Sequence, residues 1–159
     1  MAGRSHEEQA QHDRVVLLVA QQRFPRETCR VMTNPGTEEN CGLSHLTDGG
    51  EGYTVYPDIV AVMRPDKEIV AVGEVETRST ITQGHSGQWR LFAQHANAFY
   101  LFVPLETVEE ATSLIRGIKN VHLRAYSFDP NGNVIVTDVP CGQYGAEGCG
   151  PCQTGPDRL

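Results

Sequence analysis

Two nearly continuous apolar segments, Thr54–Met63 and Ile69–Thr77, constrain the fold of this chain more than any other feature. They read TVYPDIVAVM and IVAVGEVET, and only the four-residue turn RPDK and its neighbour separate them. Strands that are apolar on both sides are typically covered on both faces, so we expect two central, antiparallel strands of a sheet enclosed by helices. Pro57 is unfavourable inside such a sheet unless it lies at an unpaired or bulged position.

The rest of the chain alternates between helical and strand patterns. Three segments have apolar residues at helical spacing: Ser5–Gln22, Ser86–Ala98 and Glu106–Asn120. Four shorter segments have strand patterns: Cys29–Thr33, Phe99–Val103, Val121–Phe128 and Asn133–Val139. The polar segment Asn34–Gly52 predicts a long loop. This order predicts an α/β domain with a mixed sheet, in which Cys29 is a small buried apolar side chain.

Length and composition narrow the class of protein. The 159 residues fit one domain, predicted at residues 1–140, followed by an irregular Cys/Gly-rich tail at residues 141–159. The longest apolar runs, Val15–Ala20 and Ala98–Val103, are far shorter than the ~20 residues of a membrane span. The N-terminal sequence MAGRSHEE is polar, unlike a signal peptide, and five cysteines are an odd number. We therefore expect no membrane association, and reduced thiols in a cytoplasm.

Acidic residues interrupt the two apolar segments. Asp58 lies in the first segment, and Glu74 and Glu76 lie near the end of the second. Side chains two residues apart on a strand share a face, and pairing of Met63 with Ile69 sets Asp58 opposite Glu74, with Cβ atoms about 5 Å apart. Because neighbouring buried carboxylates resist ionisation, we expect either a protonated carboxyl group or a bound hard divalent cation. The alternative is that the strands reach the surface and the carboxylates are merely solvated.

The predicted order of elements resembles the core of the PD-(D/E)XK phosphodiesterases. It consists of a helix, three strands, a helix and a strand, with Pro-Asp on the second strand and Glu-x-Glu on the third. The resemblance covers residues 7–104. It implies a restriction-endonuclease-like αβββαβ core, a mixed sheet flanked by helices, and Mg²⁺ or Mn²⁺ bound by Asp58 and Glu74. The third motif position of the family is usually lysine, which orients or activates the attacking water, whereas this chain has Glu76. Some family members use glutamate there, as a metal ligand or water-orienting base, and others without the lysine have lost catalysis.

Two further positions resemble looser features of the same family. Gln88, followed one turn later by Phe92, resembles a Gln-x-x-x-aromatic element whose glutamine faces the active site. The alternative is a surface glutamine near the start of a helix. Glu8 resembles a first-helix glutamate that points into the metal site in several branches. The alternative for Glu8 is a capping box with Ser5, because the two are spaced three residues apart.

Side chains beyond the carboxylates offer fewer signals. Arg78 and Arg90 are candidate phosphate contacts, because a guanidinium fork matches phosphate oxygens, and the alternative is that each is a solvated surface charge. Trp89 lies at the helical spacing of a core residue, which predicts burial rather than a platform for base stacking. His85 and His95 lie near the candidate site, but a lone histidine carries no assignment.

Cysteines near the C-terminus suggest a second metal site. Cys149 and Cys152 form a C-x₂-C pair, and structural zinc takes four ligands. Cys141 supplies a third ligand in this hypothesis, and Cys41 or His45 supplies the fourth. The alternative is a tail with incidental thiols. The tetrapeptide CGPC also matches the thioredoxin active site, but a redox site needs it at the start of a helix, and only seven residues follow it.

The expected function is Mg²⁺-dependent, endonuclease-like hydrolysis of DNA. The alternative is a catalytically inactive nuclease-like module that binds DNA or protein and is stabilised by structural zinc. Thirteen basic against 20 acidic residues give a formal net charge of −7, which disfavours coating of nucleic acid by bulk positive charge. A basic partner subunit would supply that charge, and a homodimer fits the resemblance because family members often pair two active sites.

Overall fold

The computed structural model describes residues 3–35, 41–46, 50–65 and 68–140. The predicted tail at residues 141–159 lies outside this range. The described helices are α1 (His6–Gln22), α2 (Gln83–His95) and α3 (Val108–Leu114), with short 3₁₀ turns at Arg78–Thr80 and Leu105–Thr107. The described strands are β1 (Cys29–Thr33), β2 (Leu43–Leu46), β3 (Gly52–Val55), β4 (Ile59–Met63), β5 (Ile69–Val75), β6 (Ala98–Pro104), β7 (Val121–Phe128) and β8 (Val134–Asp138).

Six of these strands form one mixed sheet in the order β1-β4-β5-β6-β7-β8. The pairs β1–β4, β4–β5 and β7–β8 are antiparallel, whereas β5–β6 and β6–β7 are parallel. Strands β2 and β3 form a separate antiparallel hairpin between β1 and β4 in the chain. The prediction of an α/β domain with a mixed sheet is therefore confirmed.

Helices cover both faces of this sheet and divide the core in two. On one face, α1 packs Val15, Val16 and Val19 against β4, β5 and β6. On the other face, Trp89 of α2 and Ile115, which directly follows α3, pack against β5, β6 and β7. Strands β4 and β5 are internal strands, as their continuous apolar sequences predict. None of the described helices is both long enough and apolar enough to cross a membrane.

The start of α1 is fixed by the predicted capping box. The Ser5 hydroxyl accepts the Glu8 backbone N–H (3.2 Å), and Glu8 Oε2 accepts the Ser5 backbone N–H (3.0 Å). Two N–H groups that have no partner within the helix are thereby satisfied. The box sets where α1 begins.

Two predictions about the segment between β1 and β4 are wrong. Residues 34–52 are not a continuous loop, because β2 lies within them and pairs with β3. Thr54–Met63 is not a single strand, because the chain leaves β3 after Val55 and enters the main sheet only at Ile59. Pro57 lies in this break, where its lack of an N–H removes no hydrogen bond from the ladder.

The helix boundaries also differ from the predicted ones. Helix α2 begins at Gln83 with Thr82 as its N-cap, and Ser86 lies within the helix, donating its hydroxyl to the Gln83 carbonyl. Helix α3 is shorter than predicted and ends at Leu114. Gly117 follows with φ +77°, a left-handed conformation that ends helices and that glycine adopts readily.

The register between β4 and β5 positions the acidic residues. Ile59 pairs with Gly73, Val60 with Val72 and Ala61 with Ala71. The predicted pairing of Met63 with Ile69 is wrong, because an irregularity between Ala61 and Val62 shifts the turn end of the ladder, where Val62 pairs with Ile69. At the other end, one step beyond Ile59–Gly73, the register sets Asp58 opposite Glu74.

We predict that Gly73→Ala lowers the free energy of unfolding by about 1–3 kcal/mol, the usual cost of overpacking. A Cβ at Gly73 would lie 2.9 Å from Cζ of Phe24 and 3.3 Å from Cβ of Ile59. Chemical denaturation monitored by circular dichroism measures the change. Gly87→Ala is the matched control, because a Cβ there meets no atom within 4 Å among the described residues. Equal stabilities of the two variants would contradict the prediction.

Candidate active site: a buried carboxylate cluster

Three carboxyl groups converge at one end of the central strands. Asp58 immediately precedes β4, Glu74 lies on β5, and Glu76 follows β5. Only 7% of Asp58, 7% of Glu74 and 0% of Glu76 is exposed. Because burial penalises the charged form of a carboxyl group, each needs compensating partners. These three residues are called the carboxylate cluster below.

Asp58 and Glu74 are locked together through backbone N–H groups. Oε2 of Glu74 accepts the backbone N–H of Asp58 (3.0 Å), and Oδ2 of Asp58 accepts the backbone N–H of Val75 (2.8 Å). Each carboxyl group is therefore fixed by the neighbouring strand. Within the described part of the chain, no hydrogen bond reaches the second oxygens, Oδ1 of Asp58 and Oε1 of Glu74. These two oxygens remain for a ligand.

Helix α1 brings a buried histidine to the cluster. His12 Nε2 lies 3.0 Å from Oδ2 of Asp58, and Nδ1 lies 2.8 Å from Oδ1 of Asp13. Gln9 Nε2 donates to the same Asp13 oxygen (2.8 Å). Burial disfavours the imidazolium, but the hydrogen bond and negative charge of Asp58 outweigh it and raise the pKa of His12. Both ring nitrogens face carboxylate oxygens, an arrangement in which the doubly protonated ring donates at both ends.

Glu76 is held inside the core by helix α2. Its Oε1 accepts the indole N–H of Trp89 (2.7 Å), and His85 Nδ1 lies 3.6 Å from the same oxygen. The Tyr126 hydroxyl donates to the Glu76 backbone carbonyl (2.6 Å), and burial raises the pKa of that hydroxyl. Side chain and main chain of Glu76 are thus fixed from two elements, which restricts it to one orientation.

An arginine from the N-terminal segment completes the cluster. Arg4 Nη2 donates to the Val75 carbonyl (3.1 Å) and lies 3.6 Å from Oε2 of Glu76. Glu76 Oε2 and Arg4 Nε are buried without a hydrogen-bond partner in the described structure. The Arg4 guanidinium therefore offsets the charge of Glu76 by proximity, without a hydrogen bond to Glu76 Oε2.

Glu74 carries the least favourable charge of the three. Burial, followed by the negative charges of Asp58 and Glu76, raises its pKa well above the usual value of a glutamate, although the Asp58 N–H and Arg4 oppose the shift. Of the two outcomes expected from the sequence, a protonated carboxyl group at Glu74 relieves the repulsion when no cation is bound.

Other predicted site residues lie around the cluster or apart from it. Both oxygens of Glu8 accept backbone N–H groups, from Ser5 and from Ser79 (3.3 Å to Oε1), and these bonds lower the pKa of Glu8. Arg78 is 73% exposed and pairs with Glu106 at 3.4 Å. Gln88 and the exposed Arg90 line a surface pocket together with Tyr53, Val55, Gly87, Leu91 and Gln94. The residues of α2 that contact the cluster are Trp89 and His85.

The oxygen donors of the cluster fit a hard divalent cation, but they are not arranged as a ready-made site. Among the residues that the structure describes, no group of three His, Cys, Asp or Glu side chains is placed to hold a metal ion. Oδ1 of Asp58, Oε1 of Glu74 and the unpartnered Oε2 of Glu76 are the oxygen type that Mg²⁺ prefers. Because the raised pKa of Glu74 favours its neutral form, a cation bound by Asp58 and Glu74 would compete with a proton, and the carboxyl oxygens would have to move into ligand positions.

The zinc hypothesis falls mostly on residues outside the described structure. These are Cys141, Cys149 and Cys152, together with the side chain of His45. Cys41 is half-buried, and burial raises the pKa of its thiol, which disfavours the thiolate that zinc needs. Cys29 is buried in the core, as predicted.

The sequence interpretation missed His12 and Arg4. His12 lies four residues after Glu8 and four before Val16, on the face of α1 that packs against the sheet. A polar residue on a buried helical face needs a partner, so this spacing is a usable signal. Arg4 precedes the helix and carries no periodic signal. Trp89 is buried as predicted, but its hydrogen bond to Glu76 depends on a fold-level contact that the sequence alone does not indicate.

We predict that Glu74→Gln raises the melting temperature at pH 8 and flattens its dependence on pH. Because the pKa of Glu74 is raised in the folded chain, its contribution to the free energy of unfolding is fully present below pH 4.5, the pKa of the unfolded chain's glutamate. This contribution is lost as pH rises through the folded pKa. The raised pKa of His12 acts in the same direction, from its unfolded value of 6.5 upward. Wild-type stability should therefore fall from about pH 5 to pH 8.

Thermal denaturation across this pH range measures the effect, and 1 kcal/mol corresponds to about 2–4 °C for a chain of this size. Glu109→Gln, at an exposed position on α3, is the control for simple loss of one negative charge. If both variants follow the wild-type curve, Glu74 is not the protonated member of the cluster.

The chain matches no protein-family model, no curated protein and no solved structure.

Proposed function

We propose that this chain is a metal-dependent phosphodiesterase that hydrolyses DNA, with Asp58 and Glu74 as the ligands of Mg²⁺ or Mn²⁺. The observation that carries the proposal is the buried Asp58–Glu74 pair, in which Asp58 immediately precedes β4 and Glu74 lies on the adjacent strand β5. Oδ2 of Asp58 and Oε2 of Glu74 are fixed by backbone N–H groups, and their other oxygens accept no hydrogen bond from the described residues. Carboxylates of this kind, supplemented by water and substrate phosphate, are typical ligands of Mg²⁺.

The topology around the pair supports the same proposal. In chain order, α1, β1, β4, β5, α2 and β6 form an αβββαβ unit. Its first three strands are antiparallel, β6 is parallel to β5, and α1 and α2 lie on opposite faces. This is the arrangement that the resemblance to restriction-endonuclease-like enzymes implies, with Pro-Asp at the start of the second strand and Glu-x-Glu at the end of the third. The β2–β3 hairpin is then an insertion, and α3, β7 and β8 are an extension.

The residues of the cluster divide the chemistry between them. A metal ion, when bound, neutralises a non-bridging phosphate oxygen and lowers the pKa of a bound water molecule. Asp58 and Glu74 hold it, while His12 and the Val75 N–H keep Oδ2 of Asp58 engaged. Glu76 has the water-orienting role, because its Oε2 is buried without a hydrogen bond and a water molecule donating to it would satisfy this acceptor. In-line attack by that water would form a new P–O bond and break the bond to the 3′ oxygen, with the proton of the water passing to Glu76 and a proton from solvent neutralising the departing 3′ oxygen.

The amino-acid composition of the chain does not supply the positive charge that binding of DNA requires. The formal net charge is −7, and the exposed Arg78 already pairs with Glu106. We therefore place a basic partner subunit at the DNA in this proposal. A homodimer would pair two active sites, as the resemblance implies, but a second copy of the chain adds no net positive charge. A reducing cytoplasm stays the predicted compartment for the five cysteines.

We predict that the wild-type chain cleaves plasmid, branched or single-stranded DNA in Mg²⁺ or Mn²⁺, and that Asp58→Ala and Glu74→Ala each reduce cleavage at least about 100-fold. Loss of a metal ligand removes several kcal/mol of charge stabilisation in the transition state. Gel assays of initial rates measure the effect, and circular dichroism verifies that the variants fold. Glu109→Ala is the control, with unchanged cleavage.

Cleavage that persists in both variants would show that Asp58 and Glu74 are not active-site residues. Absence of cleavage by the wild-type chain on every substrate and with both metals would favour a binding module without catalysis.

A nuclease-like binding module without catalysis is the second candidate function. Its support is that the cluster is compensated by the chain itself, since His12 faces Asp58 and Arg4 lies beside Glu76. Glu76 is fully buried and held by Trp89, which also suits a structural anchor between β5 and α2. In this candidate function the surface of the chain binds DNA or protein without hydrolysis, and structural zinc stabilises the C-terminal segment.

The zinc hypothesis predicts about one zinc ion per chain, because one structural site takes four ligands. Mass spectrometry of the native chain measures the content, and Cys149→Ser should reduce it to background. Cys29→Ser is the control, because this thiol is buried in the core between α1 and the sheet. A metal-free native chain, or unchanged zinc in Cys149→Ser, would contradict the hypothesis.

A further inference from the structure

Asn34, the residue that follows β1, is a buried amide with a nearly complete set of partners. It is 3% exposed. Its Nδ2 donates to the carbonyls of Cys41 (2.8 Å) and Pro57 (2.6 Å), and its Oδ1 accepts the backbone N–H of Cys41 (3.0 Å). Both N–H groups of the amide and its carbonyl oxygen are thus used in one place, each with a main-chain partner.

The main chain of Asn34 reaches the same neighbour. Its backbone N–H donates to the Asp58 carbonyl (2.9 Å). Asn34 therefore binds the peptide carbonyl before Asp58 and the one after it. The Asp58 N–H is bound by Glu74 Oε2. The backbone around this carboxylate is consequently held from both sides, by β1 on one side and by β5 on the other.

The break between β3 and β4 explains why this clamp is needed. Residues 56–58 lie outside both strands, so the sheet ladder does not fix them. Pro57 has no N–H to donate. The Asn34 amide substitutes for the missing ladder hydrogen bonds at the backbone segment that orients the Asp58 side chain. A buried side chain that satisfies main-chain groups in this way restricts the backbone to one conformation.

We propose that Asn34 is a positioning residue for Asp58, which holds the carboxylate in the orientation that its bonds to Val75 and His12 require. The positioning of Asp58 is inferred from the contacts of Asn34 alone. The effect of this positioning on metal binding rests on the proposed function. Aspartate lacks the two donors and glutamine is one methylene longer, so neither reproduces the clamp.

The test compares Asn34→Ala with Asn120→Gly in the full chain. Asn120 Nδ2 donates to the Ala96 carbonyl (2.8 Å) at the opposite end of the sheet, so it is a matched amide clamp away from the cluster. Glycine is chosen there because Asn120 has φ +65°, which glycine adopts without strain. The first readout is the amide proton chemical shift of Val75, whose N–H donates to Asp58 Oδ2. The second is the affinity for Mn²⁺, measured by electron paramagnetic resonance.

In Asn34→Ala we expect the Val75 amide proton to move upfield by more than the other β5 amides, and the Mn²⁺ affinity to fall about 10–100-fold, as for other residues that orient a metal ligand. Asn120→Gly should change neither. If Asn34→Ala does not fold, N34D keeps the acceptor for the Cys41 N–H, loses both donors, and should give the same Val75 shift.

A Val75 resonance that moves no more than its β5 neighbours in the folded Asn34 variant would overturn the positioning role. If the wild-type chain takes up no Mn²⁺, the proposed function fails, and the Val75 shift alone then decides the role of Asn34. Equal losses of Mn²⁺ affinity in Asn34→Ala and Asn120→Gly would also overturn the positioning role. The loss of affinity would then reflect a general loss of stability and not a change in the orientation of Asp58.

Discussion

The electrostatic cost of three carboxyl groups at the buried end of β4 and β5 governs the rest of the site. Two like charges 4 Å apart repel by about 4 kcal/mol at an effective dielectric constant of 20, a large part of the net stability of a domain. The chain offsets this cost with Arg4 and His12 beside the carboxyl groups, with backbone N–H groups, and with a raised pKa of Glu74 that favours its neutral form. These partners come from the N-terminal segment, α1 and the sheet itself, so folding of the cluster requires all three in place.

Strand geometry positions the central part of the site, but the turn alone does not. The pairing of Val62 with Ile69, continued without a break, would set Asp58 opposite Gly73, and the irregularity between Ala61 and Val62 moves the register by one residue so that Asp58 faces Glu74. The sequence therefore sets the two carboxylates face to face from a turn pairing that is itself wrong. The β2–β3 hairpin was not predictable in the same way. Its strands read LSHL and GYTV, without sustained apolar alternation, and they pair with each other outside the main sheet.

Contacts that join distant parts of the chain are the other features beyond sequence reasoning. Helical spacing marks Trp89 as a core residue, but its indole N–H finds Glu76 only because α2 packs on the end of β5. Likewise, Asn34 appears in the sequence as a polar residue at the start of a loop, a common turn position. Its role in binding the carbonyls on both sides of Asp58 arises from the break before β4, which a continuous apolar segment conceals.

Glu76 links the two candidate functions through its effect on Glu74. Its negative charge raises the pKa of Glu74 and so strengthens the hold of that group on a proton. The same charge attracts a divalent cation, and a cation that displaces the proton gains from both carboxylates at once. Arg4 beside Glu76 reduces both effects. Burial and Asp58 are the larger influences on the pKa of Glu74, and the charges of Glu76 and Arg4 shift the balance between proton and cation further, in opposite directions. A fully buried Glu76 would therefore act on the proposed metal site through its charge even where its oxygens stay inside the core.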